Sequence, residues 1–299
     1  MIRKTIALFL FFSCNEIDKI LPESTGAFSE IVIVCDDVVW NDKVQNILIE
    51  ALALPIKGLP QPESSFNIIQ INPNEFKSIL KTHRNIIIFN EETAEGTYRD
   101  RWAKNQFIAS LKHSNNRSEL LEKILRLKSI FELREIKNIK DNIVSNQNKV
   151  FSKQILKRFT IEREIPAEYK IAKDTLNLIW ATHNPANKEE IKNIIFFSYS
   201  LKSKNDTLRE TIINKTDSVL SLCLKGRTME SFVTIERRHP INKQNDFYRG
   251  LWKLEKGFMG GPFIMKKTSL DNSVIVSVGI VFAPNKSKRK FIKEFEAVL

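Results

Sequence analysis

The order of apolar and polar residues divides the chain into two unlike halves. In the first half, the continuous apolar run at residues 31–34 is typical of a strand that is buried on both faces, and residues 66–71 and 86–89 are expected to form the second and third strands. A helical stripe from Trp40 to Ala51 follows the first run, and Asn72-Pro73-Asn74-Glu75 is typical of a helix start. This alternation predicts a small α/β sheet covered by helices over residues 29–116, with a fourth strand near 102–111.

The middle of the chain has a helical period. Leu121, Ile124 and Phe131 lie on one face of a helix that would run from residue 118 to about 159. The polar segment 141–149 is the natural place for a break. We therefore expect a connector of two helices over residues 117–160.

The second half predicts short strands joined by turns. Strands are expected near residues 175–182, 194–200, 231–235, 250–254, 262–267 and 274–282, with a helix near 207–224. A last helix over 287–298 places Phe291, Ile292, Phe295 and Val298 on one face. Short connections such as 269–273 favour hairpins, so residues 161–299 should form a largely antiparallel α+β unit. The fold class predicted for the whole chain is α+β.

The N-terminus resembles a secretory signal that ends in a cysteine. Arg3 and Lys4 precede the apolar run 6–12, and Ser13 stands directly before Cys14. Seven residues rise only about 10 Å as a helix, too little to cross a hydrocarbon core of roughly 30 Å. We expect a signal peptide at 1–13, a Cys14 that carries fatty acyl groups such as palmitate, and a tether at 14–28. The alternative is an N-terminal helix packed in a core.

The expected export changes which partners the basic composition indicates. The formal net charge is +12, and residues 117–158 contain eleven Lys or Arg against five Asp or Glu. An exported lipoprotein would face the periplasm, with the outer membrane favoured over the inner, and would not meet nucleic acid. The expected partners are the membrane through the lipid, an envelope protein or an anionic envelope polymer. The alternative is an ordinary solvated helix face.

Glycine use identifies the most distinctive segment, residues 249–263. Four of the nine glycines lie between 250 and 261, which indicates a shaped turn between two strands. The candidate ligand-binding residues are an anion anchor and the side chains and glycines of a pocket: Arg249, Trp252, Phe258, Met259, Gly260 and Gly261. The alternative is a hairpin whose aromatic residues belong to the core.

Two polar pairs and two cysteines are weaker candidates. Asp36 and Asp37 could hold a hard cation at the end of the first strand, although such an acid more often caps the next helix. His83 and Arg84 precede the third strand, where a lone histidine is usually a structural residue. No residues have the spacing of a metal site, and no cofactor is expected. Cys35 and Cys223 are expected to be free buried thiols, with a single bridge as the alternative.

Specific motifs resemble one uncharacterised family along nearly all of the mature chain. The matching pieces are Leu21-Pro22 with Gly26, Asp36-Asp37 with Trp40, Pro60-Gln61-Pro62, Thr82-His83-Arg84-Asn85, Trp102-Ala103-Lys104, Arg249 to Phe263, and Ala283-Pro284 with the last helix. The chain resembles Bacteroidota-type lipoproteins grouped as the domain of unknown function DUF4837. The resemblance implies export and lipidation at Cys14. It implies no activity and no catalytic residues.

These features favour a non-catalytic binding or interaction protein anchored at the cell envelope. The alternative is a cell-envelope hydrolase or metal-dependent enzyme whose site is built from dispersed residues. A common pocket for Asp36, Asp37, His83, Arg84 and Arg249 would favour the enzyme. An exposed apolar or basic patch would favour binding.

Overall fold

Two β-sheets organise the chain. A computed structural model describes residues 20–92, 94–114, 116–228 and 230–299. The predicted signal peptide, Cys14 and the first part of the tether lie outside the described residues. The first sheet consists of β1 (Glu30–Val34), β2 (Asn67–Ile71), β3 (Asn85–Phe89), β4 (Gly96–Arg99) and β5 (Phe107–Leu111).

The first sheet has the order β2-β1-β3-β5-β4, with β4 as its only antiparallel strand. A short helix α1 (Asp37–Val39) continues through a π-helical turn (Trp40–Val44) into α2 (Gln45–Leu52). Helix α2 packs beside α3 (Arg117–Ser145) and covers one face of the sheet. Because both faces of β1 are buried, its four residues after Glu30 are apolar without alternation. The predicted small α/β sheet is confirmed.

The last part of this sheet differs from the prediction. The strand expected near 102–111 begins only at Phe107, since the Gln106 side chain holds a turn by donating from Nε2 to the carbonyls of Lys81 and His83. Trp102 N donates to Gln106 Oε1 in the same turn. Strand β4 was not predicted because its residues are mostly exposed and polar, which removes the apolar pattern.

Two helices connect the sheets, as predicted. Helix α3 ends at Ser145, and α4 (Lys149–Phe159) starts at Asn148, whose Oδ1 accepts a hydrogen bond from Phe151 N at 3.0 Å. A polar cap inside the expected segment 141–149 therefore separates the two helices. None of the helices in the described part of the chain combines the length and the apolar character needed to span a bilayer.

The second sheet is antiparallel and has eight strands. Its strands are β6 (Lys170–Thr175), β7 (Leu178–His183), β8 (Ile191–Ser200), β9 (Phe232–Ile235), β10 (Asn242–Gln244), β11 (Phe247–Glu255), β12 (Gly260–Ser269) and β13 (Ser273–Phe282). The order is β10-β11-β12-β13-β8-β7-β6, and β9 pairs with β11 beyond the end of β10. The single strand expected at 175–182 is instead the β6–β7 hairpin, which turns at Leu176 and Asn177.

Each face of the second sheet has its own helical cover. Helix α5 (Arg209–Cys223) covers one face, whereas α4 and α6 (Arg289–Val298) cover the other. Helix α6 also packs against the connector helix α3. The hairpin at 269–273 and the C-terminal helix were predicted correctly, and the fold class is α+β.

Candidate ligand-binding pocket

An apolar pocket opens on the α5 face of the second sheet, where α5 ends and leaves the strands uncovered. Its volume is about 300 Å³. Strands β7, β8, β11 and β13 form its floor, and the segment after α5 forms one wall. The apolar lining is Trp180, Ile191, Leu224, Val233, Trp252, Leu254, Met259, Ile280 and Phe282, and the polar lining is Thr182, Asn184, Asn193, Lys225 and Gly226.

The glycine-rich hairpin builds the inner end of this pocket. Trp252 on β11 pairs directly with Gly261 on β12, and the buried indole donates from Nε1 to the Val281 carbonyl at 3.2 Å. A Cβ at Gly261 would lie 2.2 Å from Val281 O and 3.2 Å from the indole nitrogen. Gly261 is therefore required by close packing rather than by a left-handed backbone.

A second tryptophan forms the opposite wall. Trp180 on β7 donates from Nε1 to Asn193 Oδ1 on β8 at 2.9 Å, which fixes the ring and the amide together. Among the described residues, nothing accepts from Asn193 Nδ2, although Asn193 is buried. The pocket thus offers two indole rings and one oriented amide donor, a combination suited to an apolar group with a polar atom.

The mouth of the pocket is asymmetric. Met259, just before β12, is half-buried and lines the mouth, whereas its neighbour Phe258 is fully exposed at the tip of the turn. Lys225 is exposed at the other side of the opening. Of the sequence-predicted residues, Trp252 and Met259 therefore line the pocket, Gly261 shapes it, and Gly260 pairs with Lys253 in the same hairpin. Phe258 does not line it.

Arg249 belongs to a different surface. It lies three residues before Trp252 on β11, and because side chains alternate along a strand, it faces the opposite side of the sheet. There its guanidinium pairs with the Glu296 carboxylate of α6 and donates to Gln244 Oε1 at 2.8 Å. Burial lowers the pKa of Arg249 to about 10. The predicted use of Arg249 as the anion anchor of the aromatic pocket is therefore wrong.

Asp36 and Asp37 hold local structure. The Asp36 carboxylate accepts from Val38 N at 2.9 Å and caps α1, and Asp37 Oδ1 accepts from Gln70 Nε2 at 2.8 Å. Both acids are exposed at the carboxyl end of β1. The capping role that the sequence favoured is confirmed.

His83 and Arg84 lie at the opposite edge of the first sheet, since β1 and β3 are parallel and these residues precede β3. His83 is buried, with Nε2 2.8 Å from Glu30 Oε1 and Nδ1 3.1 Å from Asn85 O. Burial alone would raise the pKa of Glu30, but hydrogen bonds from His83 and Ala27 outweigh it and hold that pKa below its usual value. His83 is a structural residue, as the sequence favoured.

The dispersed residues that could have formed an enzyme site do not converge. Asp36 and Asp37 lie at the carboxyl ends of the parallel strands of the first sheet, and His83 and Arg84 lie at their amino ends. Arg249 lies in the second sheet. In the part of the chain that the structure describes, no three His, Cys, Asp or Glu side chains come together as a metal site.

The cysteines and the basic helix match the simpler interpretations of the sequence. Cys35 and Cys223 are free and buried, and burial raises the pKa of the Cys35 thiol to about 12. On α3, Lys123, Arg126 and Lys137 each pair with an acid one turn away, as expected of a solvated helix face.

Sequence reasoning missed part of the pocket. Trp180 and Asn193 meet only because β7 and β8 pair with Trp180 beside Ile195, and no local motif encodes that register. A usable signal was present, since every second residue from Trp180 to Asn184 should face the same side of the sheet. Trp180, Thr182 and Asn184 do line the pocket together. Tryptophan is also rare here, with four in the whole chain.

Fold and pocket together define an α+β protein with a ligand-sized apolar cavity in its antiparallel half. The family model of DUF4837, a domain of unknown function, matches residues 147–299 and covers that half, so the chain belongs to this family. A second model, DUF8532, also a domain of unknown function, matches residues 24–151. Most of the motifs before residue 147 that resembled DUF4837 therefore lie in the range of the second model, and Leu21-Pro22 lies just before it. No curated protein and no solved structure matches the chain.

Proposed function

We propose that this chain is a non-catalytic binding protein of the cell envelope whose site is the apolar pocket of the second sheet. The ligand class is a molecule with an acyl chain or an apolar ring and one polar group. The observation that carries the proposal is the pair of ordered indoles, Trp180 and Trp252, around a cavity of about 300 Å³. That volume lies at the lower end of typical small-molecule pockets.

The polar lining supports this ligand class. A polar atom at the inner end would accept from Asn193 Nδ2, and an anionic end at the mouth would lie beside Lys225. Nine of the lining residues are apolar, so burial of the ligand's apolar surface supplies most of the free energy of binding. The separation of Asp36, His83 and Arg249 gives no support to the alternative of a hydrolytic site built from these residues.

Calorimetric titration with dodecanoate below its micelle concentration tests the pocket. Wild-type protein should bind one molecule, and Met259→Glu should weaken binding at least tenfold because a carboxylate at the apolar mouth must be desolvated. Phe258→Glu is the matched control, since it adds the same charge one residue away on a side chain outside the pocket. Failure of the wild type to bind, or equal weakening in both variants, would refute the proposal.

The envelope location is a further part of the proposal and depends on the leader, Arg3 to Cys14. Removal of 1–13 and acylation of Cys14 would hold the folded body at a membrane through its first residue, with the periplasm around it. In cells that express the chain natively, Cys14→Ser should move the protein out of the membrane fraction. An unchanged distribution, with Met1 still attached by mass spectrometry, would contradict lipidation.

A further inference from the structure

A second cavity lies where the two halves of the chain meet, on the face of the second sheet opposite the apolar pocket. Its volume is about 260 Å³. The loop 54–57 and Ser65 of the first half, helix α3, strands β10 and β11, and helix α6 all contribute to its walls. The proposed function does not use this cavity.

The lining is strongly cationic. Four cationic side chains and two carboxylates line it, the cations being Lys57, Lys128, Arg249 and Lys293 and the carboxylates Glu132 and Glu296. Lys243 also borders the cavity, but its Nζ lies 5.9 Å from the centre of the Tyr248 ring, on the face of the sheet opposite Arg249. Glu296 is shared between the Arg249 guanidinium and Lys293, with Lys293 Nζ 3.7 Å from Glu296 Oε2. A single carboxylate, Glu132, is then left to balance Lys57 and Lys128.

The inner part of the lining contains two buried cationic side chains. Arg249 and Lys293 are both buried, and Arg249 Nε has no hydrogen-bond partner among the residues that the structure describes. Burial lowers the pKa of Lys293, and the charges of Arg249 and Lys128 act in the same direction, while Glu132 and Glu135 oppose them. An anion in the cavity would relieve this repulsion between cations.

The outer part is formed by lysines without a counter-ion. Lys57 is exposed, Lys128 is half-buried, and neither has an acidic oxygen within 4.0 Å among the described residues. The loop that carries Lys57 closes tightly on β11, since a Cβ at Gly58 would lie 2.8 Å from Arg249 Cβ. Gly58 also has a left-handed backbone, with φ at +83°. The loop therefore holds its lysine beside the buried arginine.

We propose that this cavity binds a small oxyanion, a phosphate or a carboxylate, held by the lysine rim and the buried Arg249–Lys293 floor. The cavity is smaller than the roughly 300–1,000 Å³ of drug-sized pockets, so a compact anion suits it better than an extended ligand. Charge-assisted hydrogen bonds from lysine and arginine are the strong contacts that such an anion requires. Since the walls come from both halves, the anion would also link them.

Calorimetric titration with inorganic phosphate, and in a separate arm with malonate, tests this site at constant ionic strength set with sodium chloride. Wild-type protein should bind one of the two anions saturably. The double variant Lys57→Gln/Lys128→Gln should bind it about tenfold more weakly. The control, Lys140→Gln/Lys204→Gln, removes the same charge from residues outside the cavity and should bind as the wild type does.

The outcomes separate this site from the apolar pocket. Saturable binding of either anion that only the cavity variant weakens supports the proposal, and Met259→Glu should leave that binding unchanged. Absence of binding by both anions overturns it, as does equal weakening in the control variant, which would show a general effect of net charge. Loss of dodecanoate binding alone would leave the oxyanion site intact.

Discussion

At the scale of single residues, Gly26 packs so closely against the His83 ring that no side chain fits between them. A Cβ at Gly26 would lie 2.2 Å from His83 Nε2, and the glycine has φ at +99°. The backbone next to Gly26 is held to the segment before β3 by hydrogen bonds from Thr25 N to Thr82 O and from Arg84 N to Thr25 O, both 2.9 Å. The histidine that the sequence offered as a functional residue therefore holds Thr25 and Gly26, near the end of the expected tether, against the first sheet.

Gly26→Ala should lower the free energy of unfolding by about 2 kcal/mol or more, because it combines a left-handed backbone with a steric clash. Urea denaturation measures the change. Gly96→Ala is the control and should stay within about 0.5 kcal/mol, since the nearest atom to its Cβ would be Tyr98 Oη at 3.9 Å. Equal stabilities for the two variants would show that the Gly26 contact is not tight.

Residue roles were predictable where they are local. Asp36 caps the helix that follows it, and the acid-before-helix pattern predicts that role directly. Arg249 and Trp252 lie three residues apart on β11, so alternation places them on opposite faces, but the strand predicted from the sequence began at residue 250 and left Arg249 outside it. This is why Arg249 and Trp252 were assigned to one pocket although they face opposite sides of the sheet.

At the scale of elements, helix α6 takes its N-terminal cap from the other half of the chain. The Glu63 carboxylate accepts from Lys288 N at 2.6 Å, from Arg289 N at 2.9 Å and from the Ser287 hydroxyl. Arg289 Nη1 also donates to the Ser64 carbonyl at 2.6 Å. A carboxylate at a helix N-terminus satisfies free backbone donors and interacts favourably with the helix dipole.

Glu63→Ala should lower the free energy of unfolding by about 1–2 kcal/mol through loss of this cap. Glu75→Ala is the matched control, since Glu75 is exposed in the same half and its carboxylate has no hydrogen bond in the described structure. Chemical denaturation of both variants compares them. A Glu63 variant as stable as the Glu75 variant would contradict a capping role.

Most elements were predictable because their apolar patterns are strong. The buried strands β1 and β3 and the helix α6 follow from their apolar residues alone. The elements that sequence reasoning missed, β4, β6 and β10, are largely exposed polar edge strands that form because a neighbouring strand offers backbone hydrogen bonds. The cap from Glu63 is 225 residues from Lys288 in sequence, so no local pattern reports it.

At the scale of the whole molecule, a buried ion pair stabilises the contact between α6 and the second sheet. Arg249 and Glu296 are both almost fully enclosed, and Gln244 Oε1 accepts a further hydrogen bond from the arginine. Such a pair is costly to break on one side, because the remaining charge stays buried without a partner.

Glu296→Gln should therefore lower the free energy of unfolding by about 3 kcal/mol. The double variant Arg249→Met/Glu296→Met should recover much of that loss, since no uncompensated charge remains in the interior. Urea denaturation of the wild type and both variants gives the comparison. A double variant less stable than Glu296→Gln would show that the ion pair itself, rather than the avoided unpaired charge, stabilises the contact.

The proposed binding function is tested most directly by the methyl NMR signals of methionine, of which the chain has four. Met259 lines the mouth of the apolar pocket, whereas Met265 is fully buried in the core under α5 and outside the pocket lining. Titration of ¹³C-methyl-methionine protein with dodecanoate should shift the Met259 signal saturably and leave the Met265 signal in place. An unmoved Met259 signal at saturating dodecanoate, or equal movement of both signals, would contradict the account.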